Sequence, residues 1–336
     1  MTRVKQRGAA LLIAMLTVAL VATFAAASLW QQWRNIEVET AERARVQSGW
    51  ILTGALDWAR LLLREDAMGS GAGVDHLGEP WAVPLQEARL SSFLAADTNN
   101  TSSSAGAEVM DAFLSGQIVD LQSLMNVNNL VTVNGQVSDP DVEAFGRLFD
   151  LLGLPQTELD KLVENLRFSI AAGQVSPSPA AAPLPPQHVA ELVWLGVSPQ
   201  TVAAIEPYVT LLPRTSVNVR TLVNVNTAPA EVIAAAAGID LSDAQRIVQV
   251  RNASPFRNVA QIQSQLQGTP AVIQGLTNEL SVNSSFFEVR AQLRLDKLVV
   301  EEHSVVWRQG QNVTVLQRER GAPDPTALPR IAASQR

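Results

Sequence analysis

Positions 9–29 read AALLIAMLTVALVATFAAASL, 21 residues without a charge, in which only Thr17, Thr23 and Ser28 are polar. A helix rises about 1.5 Å per residue, so a run of this length spans the hydrocarbon of a bilayer. Arg3, Lys5 and Arg7 precede it, and by the positive-inside rule that flank stays cytoplasmic. A cleaved secretory signal would have an apolar core of about 7–15 residues followed by a small-residue cut site. Here the run is longer and no break follows, which favours a retained membrane helix. The flank closes on the pair Arg7-Gly8, immediately before the apolar run.

The helical signal continues past the run. No proline occurs before Pro80, and Gly49 and Gly54 are the only glycines between Gly8 and Gly69. Residues 31–66 are rich in Ala, Leu, Arg, Glu and Gln, all good helix formers. One helix is therefore expected from Ala9 to about Glu65, roughly 85 Å long. Ile36, Ala41, Ala44, Ile51, Ala55, Trp58 and Leu62 suit a buried face, with Glu37, Glu39, Glu42, Arg43, Arg45, Arg60 and Arg64 largely on the others. The glycine-rich run at Gly69–Gly73 ends the helix; without a preceding strand it does not read as a phosphate loop.

Composition limits what this chain can contact. It has 336 residues, a net charge of −7 and no cysteine. Losing residues 1–8 would take the charge to −10, which works against a nucleic-acid partner. Disulfides, thiolate metal sites and cysteine nucleophiles are excluded.

Beyond the helix, residues 74–94 read as irregular and turn-rich, 97–107 as a Ser/Asn/Ala-rich loop, and 108–119 as one or two strands. Residues 127–133 lead into the turn Asn134-Gly135. From Asp139, a plausible N-cap ahead of Pro140, to about Gly275 the pattern is helical. Val142, Phe145, Leu148, Phe149 and Leu152 form one apolar face, and Leu159, Leu162, Val163 and Leu166 another. The uncharged stretch Phe168–Ala190, Pro/Ala-rich over 173–187, reads as an extended loop, and helices resume at 187–195 and 198–206. After Ser281 the period returns to two, predicting three antiparallel strands over 284–319 with a hairpin at Arg308–Asn312. Residues 321–336 read as a disordered tail.

Residues 222–262 hold a second motif. Asn226 or Thr227 can cap a helix ending at Gly238; Asp240 or Ser242 caps the next, and Pro255-Phe256 starts another. Asn224, Asn226, Thr227, Ala228, Gly238, Arg251 and Phe256 resemble the helix-hairpin-helix segments of DNA-uptake proteins. The hairpin Gly238-Ile239-Asp240-Leu241 lacks a second glycine, however, and Asp240 and Asp243 place negative charge where phosphate would sit. A compact structural or protein-contacting unit is the favoured reading.

A leader ending at Gly8 before a retained apolar helix resembles those of type IV prepilins and type II secretion pseudopilins. Together with Asp75, Leu77-Gly78-Glu79, Trp81, Asp120, Asn126, Asn128, Leu130 and the Asn224–Ala228 block, it identifies the chain as similar to the minor pseudopilin K family of bacterial type II secretion systems. The resemblance implies an α+β fold: a pilin-like long N-terminal helix on an antiparallel sheet, with a large inserted all-α domain containing the helix-hairpin-helix-like unit. It implies a leader at 1–8, a transmembrane part at 9–30, pilin-like parts at 31–135 and 281–320, the insert at 136–280, and a tail at 321–336. Prepilin peptidase would cut between Gly8 and Ala9, and methylation of the new N-terminus belongs to the same processing. The chain would be a single-pass inner-membrane protein with its C-terminal domain in the periplasm. It would cap the pseudopilus tip and initiate assembly with minor pseudopilins of the I and J type and the major pseudopilin, with no nucleic-acid partner and no enzymatic role.

Ile13, fifth after the presumed cut, fits a first subunit. Most members carry glutamate there, thought to neutralise a neighbour's N-terminal amine, and a carboxylate in lipid is costly unless paired. The family often has an acidic calcium-binding loop. The matching stretch Phe168–Ala190 has no carboxylate, whereas Ca²⁺ takes six to eight oxygen ligands, several usually anionic. No cofactor is expected. Asp120, Asn126, Asn128 and Asn129 read better as side chain–backbone bonding residues. His76, His188 and His303 are scattered and no catalytic motif occurs, although His76 with Glu79 could form an acid/base pair in principle. The alternatives are a membrane-anchored DNA-uptake-type binding protein and an anchored periplasmic enzyme.

Overall fold

The computed structural model describes residues 7–69, 73–90, 112–173, 182–213, 220–264, 266, 278–295 and 298–322. The leader positions 1–6, the 97–107 loop, most of the Pro/Ala-rich stretch and the tail beyond 322 lie outside the described residues.

Helix α1 spans Arg7–Asp66. The chain divides into two units, residues 1–53 and residues 54–336. In the first, α1 carries the exposed apolar run Ala9–Leu29, a helix long and apolar enough to cross a membrane.

The second unit is built on a five-stranded antiparallel sheet of order β1-β2-β7-β8-β9. Its strands are β1 (Leu85–Arg89), β2 (Ala112–Asp120), β7 (Phe286–Leu295), β8 (Leu298–Gln309) and β9 (Asn312–Gly321). The last three are the strands expected over 284–319; β8 and β9 are joined by a tight turn in which Gly310 takes a positive φ of 57°, a conformation open to glycine. Leu56, Ala59 and Leu63 of α1 pack with Trp81, Ile118, Phe287, Val289, Val306 and Val313. The buried face of α1 is thus turned one residue from expectation: Trp58 is 39% exposed and Ile36 63%. Alanine and leucine occur all round this helix, so periodicity alone does not select the stripe that meets the sheet.

Between β2 and β7 the chain builds a helical block. Its helices are α2 (Asp139–Leu151), α3 (Gln156–Gly173), α4 (Pro199–Ile205), α5 (Ala230–Ala237), α6 (Leu241–Ala253) and the short α7 (Ala260–Gln263). Two short parallel pairs tie it together, β3 (Met125–Asn126) with β4 (Val209–Thr210), and β5 (Val223–Asn224) with β6 (Leu280–Ser281). Helix α5 is apolar almost all round; Val232, Ile233, Ala234, Ala235 and Ala236 are buried, and it packs against α2 and α6.

Several local expectations are corrected. The block's core includes Met125, Val127, Leu130 and Val131. Residues Val127–Asn129 form a 3-10 turn, because the Asn126 carboxamide accepts from the Asn128 N–H at 3.1 Å. The 187–195 helix is 3-10, at Val189–Leu195. Residues 168–173 are the end of α3, and 85–89 are a strand. Ser138 precedes α2 as its cap residue, and Pro229 precedes α5. Pro255-Phe256 starts no helix: the Asn226 carboxamide accepts from the Phe256 N–H and donates to its carbonyl, both at 2.9 Å, and holds that backbone extended.

Candidate functional site

Gly8, Ala9 and Ile13 all lie on α1. Ile13 is 62% exposed and has only apolar residues within four positions on either side, apart from Thr17.

In the second unit, residues far apart in sequence converge where the helical block joins the sheet. Asp120, the last residue of β2, is buried. One of its carboxylate oxygens accepts from Ser284 Oγ and Thr227 Oγ1, both at 2.6 Å, and from Asn224 Nδ2 at 3.2 Å; the other accepts from the Gln122 N–H at 2.8 Å. Asn224 is fully buried and also donates to Ser284 Oγ and to the Asp75 carbonyl. Asp75 accepts from the Ser284 N–H at 2.7 Å and pairs with Arg308. Arg308, on β8, also reaches Asp66 at 2.7 Å and the Ser284 carbonyl at 2.9 Å, and lies over the Phe287 ring. Glu79 accepts from Trp81 Nε1 at 2.7 Å and from the His76 N–H at 2.9 Å.

Burial dominates the electrostatics. It pushes the Glu79 carboxyl up to about 7, helped by Asp66 and Asp75 and opposed by the bonds from His76 and Trp81. Asp120 is pushed up to about 6 against the bonds from Ser284, Thr227 and Gln122. Both lie above ordinary carboxylate values, so between about pH 4 and 7 the folded chain holds more protons than the unfolded one, and stability falls as pH rises. Melting temperature is therefore expected to rise as pH drops from 8 towards 5. Glu79→Gln should flatten part of that slope, as read by thermal melts; equal slopes in the two proteins would contradict the assignment.

Asp66, Asp75 and Glu79 each offer an oxygen within 4.8 Å of one another. Arg308 already supplies the cation to the two aspartates, and Glu79 is taken by neutral donors, so this donor set is a satisfied ion-pair cluster. His76 meets Glu79 through its backbone N–H and, more loosely, through Nε2 at 4.0 Å, while its Nδ1 accepts from the Gly78 N–H at 3.1 Å; bonds three and two residues apart are the contacts of a turn. Asn126, Asn128 and Asn129 bond to Thr221 and Leu212 across the block. The residues of 168–190 do not fit a calcium loop, since none is anionic and 168–173 are helical.

At the hairpin, Gly238 caps α5 with a φ of 64°. Arg147 donates to the carbonyl of Ala235 at 2.7 Å, so the basic group beside the hairpin is spent on the helix C-terminus. Arg251 is buried and donates to the carbonyls of Val225 and Ala228; burial alone pushes it down to about 10.

Of the residues quoted for the resemblance, Asp75, Glu79, Trp81, Asp120, Asn224 and Thr227 meet at this joint. Asp66, Gln122, Ser284 and Arg308 complete it and carry no motif. The alternation of β8 signals a buried Arg308 only once the pairing of Arg308 with Val313 and of Trp307 with Phe286 is known.

Two family models described as "Type II secretion system (T2SS), protein K" match residues 123–214 and 223–283. Type II secretion system protein K of Pseudomonas aeruginosa is 28% identical over 273 residues, covering 75% of this chain and 74% of the relative. That of Pectobacterium carotovorum is 25% identical over 344 residues, covering 95% and 98%. The crystal structure of the GspK-GspI-GspJ complex from the enterotoxigenic Escherichia coli type 2 secretion system contains a chain with the same fold. It matches at a TM-score of 0.64 and 18% identity, over 84% of this chain and 99% of that one. The long helix and the interrupted sheet agree with these matches: the chain is similar to type II secretion system protein K over most of its length, and it shares the fold of a chain in that complex.

Proposed function

We propose that this minor pseudopilin, held by a single membrane-spanning helix, sits in the bacterial inner membrane with its sheet and helical block in the periplasm. Prepilin peptidase removes residues 1–8, and the mature protein caps the pseudopilus tip and starts its assembly with partners of the I and J type, below which the major pseudopilin follows. The observation that carries this reading is an uncharged segment with Ile13 in place of a carboxylate, on a chain whose fold matches protein K of a three-protein complex. A subunit with no predecessor has no N-terminal amine to pair, so an apolar side chain avoids burying an unpaired charge in lipid. The protein's role is structural rather than enzymatic. Its polar joint supports this, because the buried side chains there are bonded to one another. It uses no calcium in the 168–190 stretch, whose residues provide no anionic ligand.

Gly8→Ala tests the processing. Mass spectrometry of protein purified from membranes should find the natural chain starting at Ala9 and the variant retaining its leader. The variant should also lose co-purification with co-expressed I-type and J-type pseudopilins. A natural N-terminus at Met1 or beyond residue 30 would overturn the reading, and so would failure of the correctly processed chain to co-purify with either partner.

A further inference from the structure

We propose that Trp30, Trp33 and Arg34 form a lipid-headgroup anchor that fixes the depth at which α1 leaves the bilayer. The proposal rests on the membrane-spanning reading of Ala9–Leu29 and adds to it the residues that set its register. The 21 uncharged residues cover about 31 Å as a helix, which matches a hydrocarbon core of about 30 Å. Trp30 is the next residue, so it falls at the boundary. Both Trp30 and Trp33 are 61% exposed. The Arg34 guanidinium carbon sits 3.9 Å from the centre of the Trp30 ring. Spacings of three and four residues put all three side chains on one face of the helix.

This combination fits the phosphate layer better than it fits water or hydrocarbon. An indole has an apolar body and one N–H donor, which is why tryptophan collects at membrane interfaces. A guanidinium stacked on a ring keeps its edge N–H groups available, and their fork matches phosphate oxygens. Gln31, Gln32 and Asn35 follow on the other faces, so polar side chains flank the anchor within about one turn of Trp30. The anchor is therefore one-sided, and the occupant is the phosphodiester layer of the leaflet where α1 emerges.

The chain has no cysteine, so single introduced cysteines can carry a spin label without background. The full chain, labelled at Val18 or at Gln31, is reconstituted in vesicles of phosphatidylethanolamine and phosphatidylglycerol. Label depth is read from relaxation by oxygen and by a water-soluble nickel complex. Val18 is expected deep in hydrocarbon and Gln31 at headgroup depth. In a chain with Trp30→Ala, Trp33→Ala and Arg34→Gln, Val18 should remain in lipid while the depth at Gln31 shifts or spreads by about one helical turn, roughly 5 Å. Arg34→Gln alone should remove any dependence of that depth on phosphatidylglycerol content. An unchanged depth at Gln31 in the triple variant, with Val18 still in lipid, would overturn the anchor and leave the membrane helix standing. A Val18 label accessible to nickel would instead overturn the membrane reading and the anchor with it.

Discussion

Replacing Arg308 with leucine is expected to destabilise the second unit by about 3–5 kcal/mol, the cost of breaking a buried ion pair from one side. Arg308 holds Asp75, which is 1% exposed, and Asp66 at the end of α1. A leucine keeps much of the packing over Phe287 but leaves the Asp75 carboxylate in a dry site with only the Ser284 N–H as a donor. For a body of this size the loss corresponds to a fall in melting temperature of roughly 10 °C. Thermal melts of the detergent-solubilised chain would show it. Arg308→Lys should fall between the two, because a single ammonium cannot fork between two carboxylates and a carbonyl. Adding Asp75→Asn to Arg308→Leu should recover part of the loss, since the stranded charge is then gone, and the double-mutant cycle isolates the pair. A leucine variant melting within 2 °C of the natural protein would show that the pair contributes little.

Asp120→Ala is expected to have the next largest effect, about 3 kcal/mol. Its carboxylate accepts from four donors: the Gln122 N–H, Asn224 Nδ2, Thr227 Oγ1 and Ser284 Oγ. Each buried donor left without an acceptor costs about 1–3 kcal/mol before relaxation. The damage should be local. Asn224 and Thr227 belong to the segment leading into α5, and Ser284 to the segment entering β7, so hydrogen exchange should quicken at 223–228 and 281–285. The amides of β8 that face β7 should keep their protection. Uniform loss of protection across the sheet would show instead that Asp120 supports the whole unit. Asp120→Asn tests the charge separately: it keeps the shape but replaces one acceptor oxygen with an NH2 donor that faces existing donors, so it should also destabilise, and less at pH 5 than at pH 8, because the natural carboxyl is itself partly protonated at the lower pH.

The parts of the fold legible in the sequence are those with a strong period or a clear stop. The absence of proline and the long apolar start revealed α1, and period-two alternation revealed β7, β8 and β9. Gly238 was legible as a helix end because its left-handed conformation suits glycine. Less legible were features decided by distant partners. The stripe of α1 that meets the sheet is chosen by the side chains of β7 and β8. The backbone at Phe256 is held by a carboxamide thirty residues earlier in the chain, which overrides the Pro-Phe helix signal. Asp75, Asp120 and Asn224 stood out individually, but nothing local shows that they meet. Ser284 and Arg308 look like ordinary strand-region residues until the sheet is assembled around them.

The pairing of β2 with β7 has a consequence for how the chain folds. Asp120 and Phe287 are direct cross-strand partners, although the entire helical block lies between them in the chain. Were that block unstructured, closing a loop of such length would cost about 4.5 kcal/mol in chain entropy before any strand contact formed. If the block forms first, β5 and β6 already lie side by side and bring the segment entering β7 next to the one leaving β2. The block then acts as a template that shortens the search for the central strand pair, and the sheet closes late, as one zipper of β2 onto a preformed β7–β8–β9 meander.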